Sequence, residues 1–175
     1  MSLRDEIEAH IGERRLFRLP ALLGASGPTR MMIVASDIYK NVQPTAWPHN
    51  RTGERLGRLR GTLDRFTNND RVAIALQPKN KPPATFLARL TPVTNEVWDI
   101  RSTDPRPGIR VLGRFSERDT FVALVWDFHE NVIGRADWTH FGERCLQCWN
   151  NLFATLPPHQ GTSANDYLSS NFISV

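Results

Sequence analysis

The sequence predicts an α+β fold: a mainly antiparallel sheet of about five to six strands with helices packed around it. Three observations carry this reading. Residues 95–128, NEVWDIRSTDPRPGIRVLGRFSERDTFVALVWDF, form the densest β-forming run and break at two polar stretches into a three-strand meander. Leu56, Leu59, Leu63 and Phe66 recur at helical spacing. So do Trp138, Phe141, Cys145, Cys148, Trp149, Leu152 and Phe153, a second apolar stripe. A chain of 175 residues can bury a substantial core, so 1–175 is expected to be one domain, with 157–175 a tail or strap.

Taken in order, Ser2 is placed to cap a helix with Asp5 and Glu6 in its first turn, running to about Arg15. Leu16–Leu23 is apolar but interrupted by Pro20, and its conformation stays open. Gly24–Pro28 reads as a loop. Met31–Ala35 reads as a short buried strand. Asp37–Asn50 holds Pro44, Pro48, Tyr39 and Trp47 without a period, and predicts an ordered loop or a flap. A helix begins at Thr52, weakened by Gly57 and Gly61 at about 1 kcal/mol each, and Asn68-Asn69-Asp70 ends it. Arg71–Leu76 and Thr85–Leu90 read as strands around a proline-rich loop, QPKNKPP.

The meander follows. In Glu96–Ser102, Val97, Asp99 and Arg101 point one way, and Trp98 and Ile100 the other. In Ile109–Phe115, Ile109, Val111 and Phe115 share a face, and Arg110, Leu112 and Arg114 share the opposite one. Thr120–Phe128 is apolar on both faces, as a doubly covered strand should be. Asp137 is placed to cap a helix running to about Thr155 that buries both Trp138 and Trp149. Pro157-Pro158 stops it. Tyr167, Leu168, Phe172 and Ile173 are anchors available to the tail.

The net charge is +4, and only Lys40, Lys79 and Lys81 are lysines among 22 basic residues. Arginine's planar fork suits phosphate oxygens, although a codon bias toward arginine would give the same composition. No run is long and apolar enough to span a bilayer, and MSLRDEIEAH lacks an apolar signal core, so no membrane partner and a cytoplasmic location are expected. The two cysteines form CxxC within a helix, where two small buried hydrophobes are a better account than a zinc or redox pair. Neither GxSxG nor GxxxxGK[ST] occurs, and no cofactor and no metal are expected.

The basic cluster is the strongest functional signal. Arg101, Arg110 and Arg114 project from the mixed faces of adjacent strands. Arg89 on the preceding strand and His129 at the end of the last one are placed to extend the surface, and the 51–65 helix adds arginines. Such a face can hold a phosphodiester backbone while Trp126 or Tyr39 stacks a base. In a nuclease, His129 or Glu130 would move protons.

The segment FLARLTPVTNEVWDIRSTDPRPGIRVLGRFSERDTFVALVWDFHEN resembles the central β-meander of RelE/HigB-like bacterial toxins. Val97-Trp98-Asp99-Ile100-Arg101, Gly108-Ile109-Arg110-Val111 and Phe121–Val125 match its rhythm. The resemblance covers residues 85–131 and implies a small sheet packed by helices, an RNA or ribosome partner, and mRNA cleavage by basic residues on the sheet. By position it carries over only Arg101 and Arg110. The lysine-rich end of that family is replaced here by DFHENVIGRADW. Two other readings stand beside nucleic-acid binding. One is an interaction protein using its aromatic helix and tail to meet a protein partner or a second copy. The other is a small-molecule enzyme with its pocket between the 37–50 loop and the sheet.

Overall fold

The computed structural model describes residues 2–21, 30–79 and 81–175. The Gly24–Pro28 loop expected from the sequence lies outside them. Among the described residues one sheet of eight strands runs in the order β1-β2-β7-β6-β5-β4-β3-β8. The strands are β1 (Leu16–Leu19), β2 (Met31–Ala35), β3 (Val72–Ala75), β4 (Leu87–Arg89), β5 (Trp98–Ser102), β6 (Ile109–Glu117), β7 (Thr120–Phe128) and β8 (Phe172–Ser174). The helices are α1 (Leu3–Gly12), α2 (Ser36–Asn41), α3 (Arg51–Thr67), α4 (Arg135–Phe153) and α5 (Ala164–Tyr167).

The α+β class holds, but the sheet is mixed rather than mainly antiparallel. β2 pairs with β7, β3 with β4, and β3 with β8, all in parallel. The meander β5-β6-β7 and the pairs β4-β5 and β1-β2 are antiparallel. The discrepancy has a physical origin. Local alternation reports which face a side chain takes, while strand direction depends on partners distant in the chain, such as Met31 opposite Thr120. β1 and β8 exceed the strands expected from the pattern because each is short and lies at a sheet edge.

Two cores lie back to back. On one face Trp98, Ile100, Val111, Phe115 and Phe121 pack with Leu56, Leu59, Leu63 and Phe66 of α3 and with Tyr167 of α5. On the other, Leu112, Val122 and Leu124 pack with Ile7 of α1 and with Phe141, Cys145, Trp149 and Phe153 of α4. Burying each large side chain contributes about 1.5–3 kcal/mol. The alternation read in β5 and β6 is therefore the division between these two cores.

Local chemistry sets the ends of the helices. Ser2 caps α1 in a reciprocal box with Asp5. α3 begins at Arg51, one residue before the expected Thr52, and Asn50 caps it by accepting from the Thr52 and Gly53 amides. Gly134 occupies the cap of α4, and Asp137 reaches back to accept from its amide at 2.9 Å. Of the two α4 indoles, Trp149 is buried and Trp138 only half-buried, because the first turn of α4 borders an open recess. Residues 37–50 are no flap. They form α2 and a 3-10 turn over Pro44–Ala46, tied down by Trp126 Nε1 donating to Asp37 at 2.7 Å and by Phe17 stacked on Tyr39 at 4.1 Å. The tail docks as a strap, with Tyr167 and Leu168 fully buried.

Candidate anion-binding cleft

Helix α4 covers β6 and β7 but leaves the β5 end of that face open, and a cleft forms there. Its floor is Asp99 and Arg101 from β5 with Arg110 from β6, where Arg101 and Arg110 are register partners. The first turn of α4 supplies Arg135 and Trp138, and the proline-rich loop supplies Lys81. The volume is ≈ 500 Å³. A second recess of ≈ 470 Å³ shares Arg101 and Arg110 and is bounded by Arg106, Gly108 and His129. The β5–β6 connection lies tight against the strand: a side chain at Gly108 would put its Cβ 2.0 Å from the Ser102 carbonyl oxygen. That close approach keeps the wall of the second recess in place, and only glycine permits it.

The charges in the first recess do not balance. Lys81, Arg101, Arg110 and Arg135 face a single carboxylate, Asp99. Arg110 Nη1 donates to Asp99 Oδ2 at 3.0 Å, while Asp99 Oδ1 is buried with no hydrogen-bond partner. Arg101 donates to the Pro82 carbonyl at 3.3 Å, and its Nε is buried without a partner. Among the described residues neither the Lys81 amine nor the Arg135 guanidinium makes a hydrogen bond or ion pair. Burial raises the Asp99 carboxyl above its ordinary value, against the pull of Arg110, Lys81 and Arg101. Burial lowers the Lys81 amine, with repulsion from Arg101 and Arg110 adding to it and Asp99 opposing. His129 sits 3.4 Å from Arg110 Nη2 through its Nε2, and burial, Arg110 and Arg101 together lower its pKa. The imidazole is thus held neutral with Nε2 as acceptor.

Of the residues expected to share one basic face, only Arg101, Arg110 and His129 meet. Arg89 lies on the opposite face, opposite Trp98 in register, with its guanidinium bound to Glu96, the Leu76 and Gly161 carbonyls and the Tyr167 hydroxyl. Arg114 shares the face of Arg110 but is sealed beneath α4, 4.9 Å from the Trp149 ring centroid and donating to the Asn95 carbonyl at 2.7 Å. The α3 arginines do not extend the surface either. Arg55 is buried in a two-pronged pair with Glu130, and Arg60 pairs with Asp64. Trp126 and Tyr39 pack with the α2 layer on the far face, so the aromatic ring in the cleft is Trp138.

Sequence reasoning missed Lys81, Arg135 and Trp138 as members of this site. One signal was available for Lys81: a lysine in a chain that otherwise uses arginine. The CxxC pair carries no comparable chemistry. Cys145 is buried, both thiols are pushed up by burial, and among the described residues no three His, Cys, Asp or Glu side chains gather as a metal set. Among the described residues no helix is long and apolar enough to cross a membrane.

The chain matches no protein-family model, no curated protein and no solved structure at a significant level. The likeness of residues 85–131 to the RelE/HigB meander therefore stands on those residues alone.

Proposed function

We propose that this chain binds nucleic acid, single-stranded RNA first, by holding backbone phosphate in the cleft and a base against Trp138. The observation that carries this reading is the excess of four cationic side chains over one carboxylate in a recess that also holds an indole. Paired guanidiniums match phosphate oxygens in geometry, and a ring face accepts any base. The Arg101–Arg110 pair lines both recesses, so a strand can enter on one side of the pair and leave on the other. His129 favours an extension of this reading to ribonuclease activity. When a phosphate draws Arg110 away from Nε2, the neutral imidazole regains a free lone pair with which to accept a proton from an attacking hydroxyl.

The test is anisotropy titration of a labelled single-stranded RNA across a salt series. Replacing Arg101 with Gln is expected to weaken binding about tenfold and to reduce the salt slope by about one. RNA that fails to bind at low salt, or binds Arg101→Gln as well as the native chain, overturns the reading. Incubation of the same RNA with native chain and with His129→Gln tests cleavage separately.

A further inference from the structure

Lys81 is the exception in this chain. Of three lysines, Lys40 and Lys79 are exposed, and Lys81 alone is half-buried in a site. At a position needed only for positive charge, arginine would serve, as it does at Arg101, Arg110 and Arg135 around it. What lysine offers in addition is an amine that can lose its proton and become a nucleophile. The surroundings favour that loss. The ammonium has no hydrogen-bond acceptor among the described residues, two guanidiniums repel it, and burial lowers its pKa. The carboxylate lining the cleft, Asp99, opposes that loss, and one of its oxygens is engaged by Arg110.

A nucleophilic amine beside an anion seat calls for an electrophile carrying its own anion. We propose that Lys81 is an acylation site for small acyl phosphates, whose phosphate seats on Arg101 and Arg110 while the amine attacks the acyl carbon. The inference rests on the phosphate-binding reading of the same cleft. In the step, a bond forms between Nζ and the carbonyl carbon, and the bond from that carbon to the phosphate oxygen breaks. Inorganic phosphate leaves with the bonding pair and takes up the proton released by the amine. No oxidant or reductant is involved. The product is a neutral amide, so acylation leaves three cations facing Asp99 and lowers the affinity of the cleft for phosphate or RNA.

The test uses the full chain and acetyl phosphate at neutral pH, with peptide mass spectrometry following Lys40, Lys79 and Lys81 separately. Because the seat on Arg101 and Arg110 holds the acyl phosphate against it, Lys81 is expected to acetylate several-fold faster than the two exposed lysines, and inorganic phosphate to slow Lys81 alone. Arg101→Gln, checked for an unchanged melting temperature, is expected to lose the preference. Equal rates at all three lysines overturn the inference. So does a preference for Lys81 that inorganic phosphate leaves untouched, because the phosphate seat then plays no part. Phosphate binding measured by calorimetry on the same sample separates the two levels. Binding without Lys81 preference leaves the anion reading standing and removes the acylation site, and absence of binding removes both.

Discussion

Two arginine–carboxylate pairs lie on opposite faces of the sheet and match closely in their immediate geometry. Arg89 meets Glu96 at 3.1 Å and Arg110 meets Asp99 at 3.0 Å, and both arginines are 7% exposed. What differs is the set of groups around them. In the first pair the second Glu96 oxygen accepts from the Tyr167 hydroxyl at 2.7 Å and from Trp98 Nε1 at 3.2 Å. Arg89 spreads its remaining donors over two carbonyls and the same hydroxyl. In the second pair one Asp99 oxygen has no hydrogen-bond partner among the described residues, and Lys81 and Arg101 add positive charge in excess of that carboxylate. A buried pair whose carboxylate oxygens are both engaged and whose guanidinium also reaches nearby carbonyls is a structural clasp. One left with surplus charge and unused polar atoms is arranged to receive something. The comparison teaches that burial and distance alone do not separate a clasp from a site.

The largest expected effect tests the clasp. Glu96→Ala leaves Arg89 buried and unpaired, and a loss of about 3–5 kcal/mol is expected by chemical denaturation. Tyr167→Phe removes only one hydroxyl from the same network, and about 1–2 kcal/mol is expected, with sulfate affinity unchanged. A Glu96→Ala chain as stable as the native one would show that the network is idle.

Asp99→Asn tests the other member. The amide oxygen still accepts from Arg110, so stability should fall less than with Glu96→Ala, while removal of the only carboxylate should tighten sulfate binding roughly tenfold. Calorimetry that finds weaker binding would mean that Asp99 organises the arginines rather than limiting the anion. Trp138→Ala should cost about 1–3 kcal/mol in RNA affinity by stacking, and leave sulfate affinity unchanged. Equal losses for both ligands would place Trp138 in the wall of the cleft and not against a base.

The smallest effect is on pH. The folded-state pKa of His129 lies below its ordinary value of 6.5, so the native chain binds fewer protons there than the unfolded one. Stability from this group is present above about 6.5 and lost as pH falls through the lowered folded value. A bound anion offsets the repulsion from Arg110 and Arg101 and raises the imidazole pKa, so the imidazole takes up a proton on binding. Sulfate affinity is therefore expected to rise several-fold as pH drops below about 6.5, since sulfate itself does not titrate there. In His129→Gln that rise should vanish. A rise that persists in the variant assigns the titration to another group.

The meander and the two-faced division of β5 and β6 were legible in the sequence because alternation is a local property of consecutive residues. Arg101 beside Arg110 followed from it, since a hairpin of that length makes them neighbours. Arg89 could not be placed in the same way. Its face depends on the register of β4 against β5, set by Arg89 lying opposite Trp98 rather than by any pattern within β4 itself. Arg114 was read on its correct face, but whether that face meets water depends on where α4 crosses it, and α4 is attached only through β7. Lys81 reaches the cleft from a proline-rich loop without period, and Arg135 and Trp138 reach it from the end of a helix whose stripe reports the core and not the recess that its first turn borders.

Tyr167 belongs to the strap, yet it completes the shell around Glu96 and Arg89, and Arg30 holds the Ser170 and Asn171 carbonyls that lead into β8. During synthesis the central strands emerge well before these residues do. Without the strap, Glu96 and Arg89 would lose the Tyr167 hydroxyl, and β3 would lose its β8 neighbour. The interior around this pair is therefore closed by residues far away in sequence, so undocking of the strap would open the core and the β3 edge together.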